Sequence, residues 1–121
     1  MSERDLQIET ASLLKRLGWL AWHTPNEARA KQRRLEGARL GVLAGVPDWI
    51  ILEPWMDADA GRAGLGIAVE LKVGRNKTTP EQDRVLKQLT ARGFLTCVCR
   101  SMSEFQRVLR YVNPRNGRRL A

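Results

Sequence analysis

Long apolar runs, histidine and cysteine are all scarce in this chain of 121 residues. No apolar run approaches the roughly 20 residues that a membrane-spanning helix needs. The N-terminus has mixed charge and does not resemble a signal peptide, so we expect a cytoplasmic protein. One histidine and two cysteines are too few for a zinc centre. Cys97 and Cys99 would share one face of a strand, which disfavours a disulfide and predicts buried thiols.

Acidic residues are also in deficit. Thirteen Asp and Glu stand against 21 Lys and Arg, which leaves a net charge of +8 and a pI near 10.5. This excess favours a polyanionic partner, because phosphate contacts release condensed counterions. A generic basic surface is the alternative, and charge alone does not separate the two.

The composition otherwise predicts a single α/β domain. Hydrophobic residues make up 43% and charged residues 28%, as in ordinary globular proteins. We find no internal repeat and no linker long enough to separate two domains. Residues 1–112 are therefore expected to form one domain, and residues 113–121 a basic, flexible tail.

Capping residues predict where three helices begin. Ser2 is placed to cap the first helix. Thr79 with Gln82, and Ser103 with Gln106, form the capping boxes of two more.

Short apolar runs predict the strands. The order is α-β-(basic segment)-β-β-α-β-α, and the connection at residues 54–66 reads as solvated because of its glycines and aspartates. Residues 27–39 are predicted to be an exposed basic helix or an ordered loop. The predicted strands are residues 19–23, 49–52, 66–72 and 95–99.

Three residues on two of these strands carry the chemistry. Asp48 follows a Gly-x-Pro turn at the mouth of one strand, while Glu70 and Lys72 share a face of the next. If the strands pair, two carboxylates and an ammonium converge, and carboxylates are ligands that Mg²⁺ requires. Such a metal polarises a phosphate and lowers the pKa of a bound water, which Lys72 would orient. The backbone carbonyl of Leu71 would be a further ligand.

Each part of this constellation has a structural explanation. A Glu-x-Lys pair on a strand is usually an ion pair, and an Asp after Pro is commonly a turn cap. The combination is much rarer than its parts.

The Pro-Asp and Glu-Leu-Lys sequences resemble the signature of the PD-(D/E)XK nuclease superfamily. The flanking pattern is similar to the VRR-NUC (virus-type replication-repair nuclease) family, over roughly residues 3–112. That family shows a glutamate in an N-terminal helix, a Gly-x-Pro-Asp turn, a Glu-x-Lys strand and a glutamine opening the next helix. The matching positions here are Glu9, Gly45 to Asp48, Glu70 to Lys72 and Gln82.

The resemblance implies a restriction-endonuclease-like α/β fold: an αβββαβ core plus a C-terminal helix, with a mixed central sheet flanked by helices. It also implies phosphodiester hydrolysis that depends on Mg²⁺ or Mn²⁺. Glu9 is implied as a metal ligand and Gln82 as a site residue. The alternatives are a surface glutamate and a capping-box glutamine, and Gln82 could serve both roles.

Small members of the family imply a substrate. Four-way (Holliday) junctions are expected, with a role in DNA repair. Because a junction has two-fold symmetry, cutting paired strands needs two active sites, so we expect a homodimer. The alternatives are cleavage of flaps, nicks or duplex DNA, and a non-catalytic DNA-binding module.

Basic residues outside the constellation are candidate contacts to the DNA backbone, although an ordinary solvated face is the alternative. His23 and Asn26 could touch the site, but packing and turn chemistry explain them equally well. Core packing is favoured over base stacking for Trp22 and Trp49, whereas Trp55 stays open to stacking. The predicted DNA contacts are Arg29, Lys31, Arg33, Arg34, Arg39 and Lys77.

Overall fold

The fold is known from a computed structural model, which describes residues 1–24 and 40–112. None of the helices in these two stretches is long and apolar enough to cross a membrane. The elements of the described chain, in order, are α1 (Glu3–Leu17), β1 (Ala21–His23), β2 (Trp49–Ile51), β3 (Trp55–Asp57), β4 (Arg62–Gly64), β5 (Ile67–Leu71), α2 (Pro80–Ala91), β6 (Leu95–Cys99) and α3 (Met102–Leu109).

A mixed four-stranded sheet organises the chain, with strand order β1-β2-β5-β6. The pairs β1–β2 and β2–β5 are antiparallel, and β5–β6 is parallel. The helix α2 provides the crossover that a parallel pair requires. The predicted α/β class, with a mixed sheet flanked by helices, is confirmed.

The central strand β5 is buried on both faces. Ile67, Val69 and Leu71 are 0% exposed and belong to one apolar cluster with residues of α1 and α3. Ala68 and Glu70 point to the opposite face, where Gln82 of α2 contacts Glu70. The alternation of the strand therefore places one charged side chain inside the protein.

The predicted solvated connection at residues 54–66 is wrong in part, because it holds the hairpin β3–β4. Trp55 is 2% exposed and pairs with Val112 as an isolated bridge. Met56 N–H donates to the Tyr111 carbonyl at 2.7 Å. Asp59 and Gly61 lie in the hairpin's turn, whereas Asp57 and Gly64 lie in its strands, and burial of the indole holds the first strand on the core. Base stacking by Trp55 is thus excluded.

The capping predictions have a mixed outcome. Both capping boxes of α1 and α2 are present, at Ser2 and Thr79. The prediction for α3 is wrong, because Ser101 rather than Ser103 is the N-cap and its hydroxyl accepts from Glu104 N–H at 3.1 Å. A start at Ser101 gives the helix one more half-turn while keeping its apolar side on the core.

Cys97 and Cys99 are both free thiols, and the prediction that they are buried is confirmed for Cys99, whereas Cys97 is partly exposed. Their sulfurs lie 3.8 Å apart on one face of β6. The basic segment at residues 27–39 and the tail at residues 113–121 both lie outside the described residues, so both stay predictions.

Candidate active site

Asp48 and Glu70 meet across the β2–β5 pair. Trp49 is opposite Val69 in this antiparallel pair, so Asp48, which precedes Trp49, lies opposite Glu70, which follows Val69. The Asp48 carboxylate is further fixed by its Oδ2, which accepts from Leu71 N–H at 2.7 Å. The structure therefore brings together the Asp and the Glu-Leu-Lys segment that the sequence predicts to converge.

Glu70 is a buried carboxylate with one oxygen unpaired. It is 2% exposed, and its Oε1 accepts from the Gln82 amide at 3.2 Å. Its Oε2 has no hydrogen-bond partner among the described residues. Since an unpaired buried carboxylate oxygen is costly, this atom indicates a missing partner.

The raised pKa of Glu70 also indicates that the carboxylate lacks a sufficient positively charged partner. Burial first, and then the neighbouring Asp48 carboxyl, raise the pKa of Glu70 from 4.5 to about 9. The Lys72 ammonium lowers the pKa, so its charge acts on the pair, while the charge of Glu3 raises it. Two carboxylates this close repel each other when both are ionised.

Gln82 has both roles that the sequence left open. Its Oε1 accepts from Thr79 N–H at 2.8 Å and its N–H donates to the Thr79 hydroxyl at 3.2 Å, which completes the capping box. Its amide nitrogen remains free to donate to Glu70. One side chain thus ties the beginning of α2 to the carboxylate pair.

Gly45 sets how closely the turn before Asp48 approaches α2. Its φ of 83° lies in the left-handed region, and a Cβ there would be 2.6 Å from the backbone carbon of Glu81. The absence of a side chain lets the turn rest on the first turn of the helix. This explains in physical terms why the motif contains a glycine.

A hydrogen-bond network on the other side of Asp48 includes Gln7, which the sequence analysis missed. The Asp48 carbonyl accepts from Thr24 N–H at 2.7 Å and lies 2.9 Å from His23 Nδ1. The Gln7 amide nitrogen contacts both ring nitrogens and lies 3.0 Å from Nε2, while Gln7 Oε1 accepts from Trp49 Nε1 at 2.8 Å. His23 therefore supports the backbone of Asp48.

Glu3 and Glu9 of α1 are both exposed, and the metal-ligand role that the family resemblance implies for Glu9 stays a prediction. The structure shows no bond from Glu9 to the carboxylate pair. Glu3 is the residue of α1 whose charge acts on Glu70. It lies one helical turn before Gln7, and the spacing to the buried Leu6 and Thr10 could have indicated this.

The described residues contain no group of three or more His, Cys, Asp or Glu side chains arranged to hold a metal ion. The pair Asp48 and Glu70 nevertheless fits a divalent cation, because both are oxygen ligands, one oxygen is unpaired and the pair repels itself without a counter-charge. The proposed Leu71 carbonyl ligand stays a prediction.

The predicted DNA contacts are mostly not described. Lys77 is exposed in the segment between β5 and α2. Trp22 is 44% exposed, so core packing is wrong for it, because β1 is an edge strand. Trp49 is 6% exposed, as expected for the core. The predicted contacts that lie outside the described residues are Arg29, Lys31, Arg33, Arg34 and Arg39, and Asn26 lies there too.

The fold is shared with a solved structure. The chain superposes on a "VRR_NUC domain protein" with a TM-score of 0.72 and 23% sequence identity, over 92% of this chain and 88% of that one. No protein-family model and no curated protein matches the sequence. At this identity the likeness establishes the fold.

Proposed function

We propose that this protein is a metal-dependent nuclease of the VRR-NUC type that hydrolyses phosphodiester bonds in DNA. The observation that carries the proposal is the Asp48–Glu70 pair, in which the buried Glu70 has an unpaired Oε2, beside the Lys72 ammonium. The net charge of +8 and the shared fold support it. A buried glutamate placed beside a second carboxyl group is poorly explained by stability, because ionising it costs desolvation and repulsion.

Asp48 and Glu70 would hold Mg²⁺ or Mn²⁺. When bound, such a cation polarises the scissile phosphate and lowers the pKa of a bound water. For the carboxylate of α1 we propose Glu3 in place of Glu9, since of these two glutamates it is Glu3 whose charge raises the pKa of Glu70.

The protein's own groups would orient the reactants. The Gln82 amide holds Oε1 of Glu70, which fixes the direction of the unpaired Oε2. Leu71 N–H does the same for Asp48. The Lys72 ammonium would stabilise negative charge that develops on the phosphate oxygens. The N-terminus of α2, which Gln82 ties to the pair, would favour an anion there.

For the substrate we propose four-way DNA junctions, cut by a homodimer. The support is geometric: a junction presents two equivalent strands, and one chain has one candidate site. Phosphate contacts by Arg29, Lys31, Arg33, Arg34 and Arg39 would supply much of the affinity. Sedimentation tests the dimer, and a monomer that still cuts junctions symmetrically would contradict it.

A cleavage assay tests the proposal. Labelled four-way junctions, flaps, nicked and plain duplexes are offered side by side with Mg²⁺, Mn²⁺ or EDTA. Asp48→Ala and Lys72→Ala should each lower the cleavage rate on the order of 10³-fold, since both remove groups at the reacting phosphate. Junction binding should persist.

Matched controls are available on the same chain. Asp59→Ala and Lys87→Ala remove exposed side chains of the same types in the β3–β4 turn and on α2. They should cut like the wild type. Cleavage by Asp48→Ala at the wild-type rate would exclude this site. If the wild type prefers flaps or duplex DNA, the proposed substrate is wrong. If the wild type binds DNA but cuts none of these substrates, the protein is a non-catalytic DNA-binding module.

A further inference from the structure

The segment that joins β5 to α2, residues 73–78, leaves the candidate site directly after Lys72. It carries two further cations, Arg75 and Lys77, and both are exposed. Neither makes a hydrogen bond or an ion pair with any described residue. Three positive charges therefore occur within six residues, beginning at the position beside the carboxylate pair.

Arg100 holds this segment in place. It follows β6, and its Nη1 donates to the carbonyl of Gly74 at 3.1 Å and to that of Asn76 at 2.6 Å. These two carbonyls flank Arg75, and the second immediately precedes Lys77. A charged donor to two carbonyls is a strong and directional restraint.

Other bonds restrain both ends of the segment. Lys72 N–H donates to the Cys99 carbonyl at 3.0 Å, which extends the β5–β6 pairing to the catalytic lysine. Asn76 N–H donates to the Val73 carbonyl at 3.2 Å, and the Thr78 hydroxyl donates to Asp83 Oδ1 at 2.5 Å. Among the described residues, Arg100 is the side chain outside the segment that bonds to its middle.

We propose that residues 73–78 form a DNA-backbone contact next to the cleaved phosphate, in which Arg75 and Lys77 bind flanking phosphates. Arg100 is a positioning residue that fixes the segment before DNA arrives. The proposal rests on the proposed nuclease function and adds to it a contact surface and a restraint. The Arg100 guanidinium is bonded to two backbone carbonyls and is therefore not itself a free phosphate ligand. Its effect on DNA binding is expected to act through the position of residues 73–78.

Rigidity matters here because phosphate contacts by long side chains lose conformational freedom on binding. A segment that is already ordered loses less, and this difference appears as affinity. Each phosphate contact also makes binding more salt-dependent, by about 0.9 in the slope of log K against log salt for duplex DNA.

A double-mutant cycle in the full-length protein tests both parts. Binding of a plain duplex and of a four-way junction is measured in EDTA, over a range of salt, for wild type, Arg100→Ala, Arg75→Gln/Lys77→Gln and the triple variant. Arg100→Lys and Arg107→Ala are added, the latter as an exposed arginine of α3 without a side-chain bond in the described residues. Hydrogen exchange of residues 73–78 is followed in each.

We expect Arg75→Gln/Lys77→Gln to weaken binding on the order of tenfold and to flatten the salt slope by about two. Arg100→Ala should weaken binding about threefold and speed amide exchange in residues 73–78, and Arg100→Lys should recover part of both. In the Arg75→Gln/Lys77→Gln background, Arg100→Ala should have no further effect on binding. Arg107→Ala should change nothing.

Three results would overturn the proposal. An unchanged salt slope in Arg75→Gln/Lys77→Gln would exclude the segment as a phosphate contact. Additive losses in the triple variant, or wild-type exchange in Arg100→Ala, would exclude positioning by Arg100. If the wild type cuts DNA and a variant gives one of these results, only this inference is refuted. If the wild type neither binds nor cuts DNA, the proposed function is refuted as well.

Discussion

Two glutamates are buried at opposite ends of the central sheet, and they differ in what surrounds them. Glu53 follows β2, is 5% exposed and accepts from Leu20 N–H at 3.0 Å. Glu70 is the penultimate residue of β5, near the start of β2. It is 2% exposed, lies beside the Asp48 carboxyl and has one oxygen of its own unpaired. Burial alone therefore does not distinguish a structural from a functional carboxylate.

The partner makes the distinction. Glu53 Oε2 accepts from a backbone N–H, and this bond joins the chain before β1 to the chain after β2. Glu70 lies beside a second carboxyl group where a counter-charge would allow both to ionise, so the fold alone leaves it incompletely satisfied. Such local conflict is expected where a ligand completes the structure.

The largest expected effect is on cleavage. Glu70→Gln keeps the shape of the side chain but removes a charged oxygen ligand, so the cleavage rate should fall on the order of 10³-fold. Glu53→Gln should retain cleavage within a few-fold and should instead lower the thermal unfolding temperature. Both variants are measured on a labelled junction with Mg²⁺ and by calorimetry. If Glu53→Gln were as inactive as Glu70→Gln, the comparison would fail.

The next effect comes from two glycines with the same backbone conformation. Gly45 and Gly41 have φ values of 83° and 88°, but a Cβ at Gly41 meets nothing within 4 Å. Gly41→Ala should cost about 1 kcal/mol of stability from backbone strain. Gly45→Ala should cost about 2 kcal/mol more, because its Cβ meets the backbone of α2, and cleavage should fall with it. Denaturant unfolding of both variants gives the difference, and equal losses would show that the turn does not rest on α2.

The pH dependence of stability should separate the two glutamates without DNA. The pKa of Glu70 is raised from 4.5 to about 9 in the folded protein. Between those values the unfolded chain releases a proton that the folded chain keeps, so stability is highest at low pH and declines as pH rises toward about 9.

In EDTA the wild type should therefore lose about 5 °C or more in Tm between about pH 6 and pH 9 relative to Glu70→Gln. Glu53→Gln should keep the wild-type slope. Adding Mg²⁺ at high pH should restore wild-type stability and leave Glu70→Gln little changed, since the cation binds the folded state. Parallel pH profiles of wild type and Glu70→Gln would mean that burial does not hold the proton.

Much of this architecture could be predicted from local signals. Neighbouring residues alone determine the caps at Ser2 and Thr79 and the apolar alternation around Glu70. The sequence therefore predicts the starts of α1 and α2 and the span of β5 closely. The Asp48–Glu70 meeting required only that two adjacent strands pair. These features depend on short-range chemistry.

The rest depends on contacts distant in sequence. Nothing near Trp55 shows that Val112 will complete its strand, so the hairpin read as a loop. Glu3 and Glu9 both flank apolar residues of α1, and only the docking angle of that helix decides which approaches Glu70. Arg100 bonds to carbonyls more than twenty residues away, and no local sequence pattern predicts these bonds.

The smallest expected effect concerns Gln7, which supports Asp48 only through other groups. Gln7→Ala leaves Trp49 Nε1 and His23 without their shared partner, and should lower the cleavage rate about three- to tenfold through a displaced Asp48 backbone. Because substrate contacts stay intact, the loss should fall on kcat rather than on KM. Gln106→Ala, an exposed glutamine of α3, is the control. A loss confined to KM would place Gln7 or His23 against the DNA instead of behind Asp48, and would extend the DNA contact surface to β1.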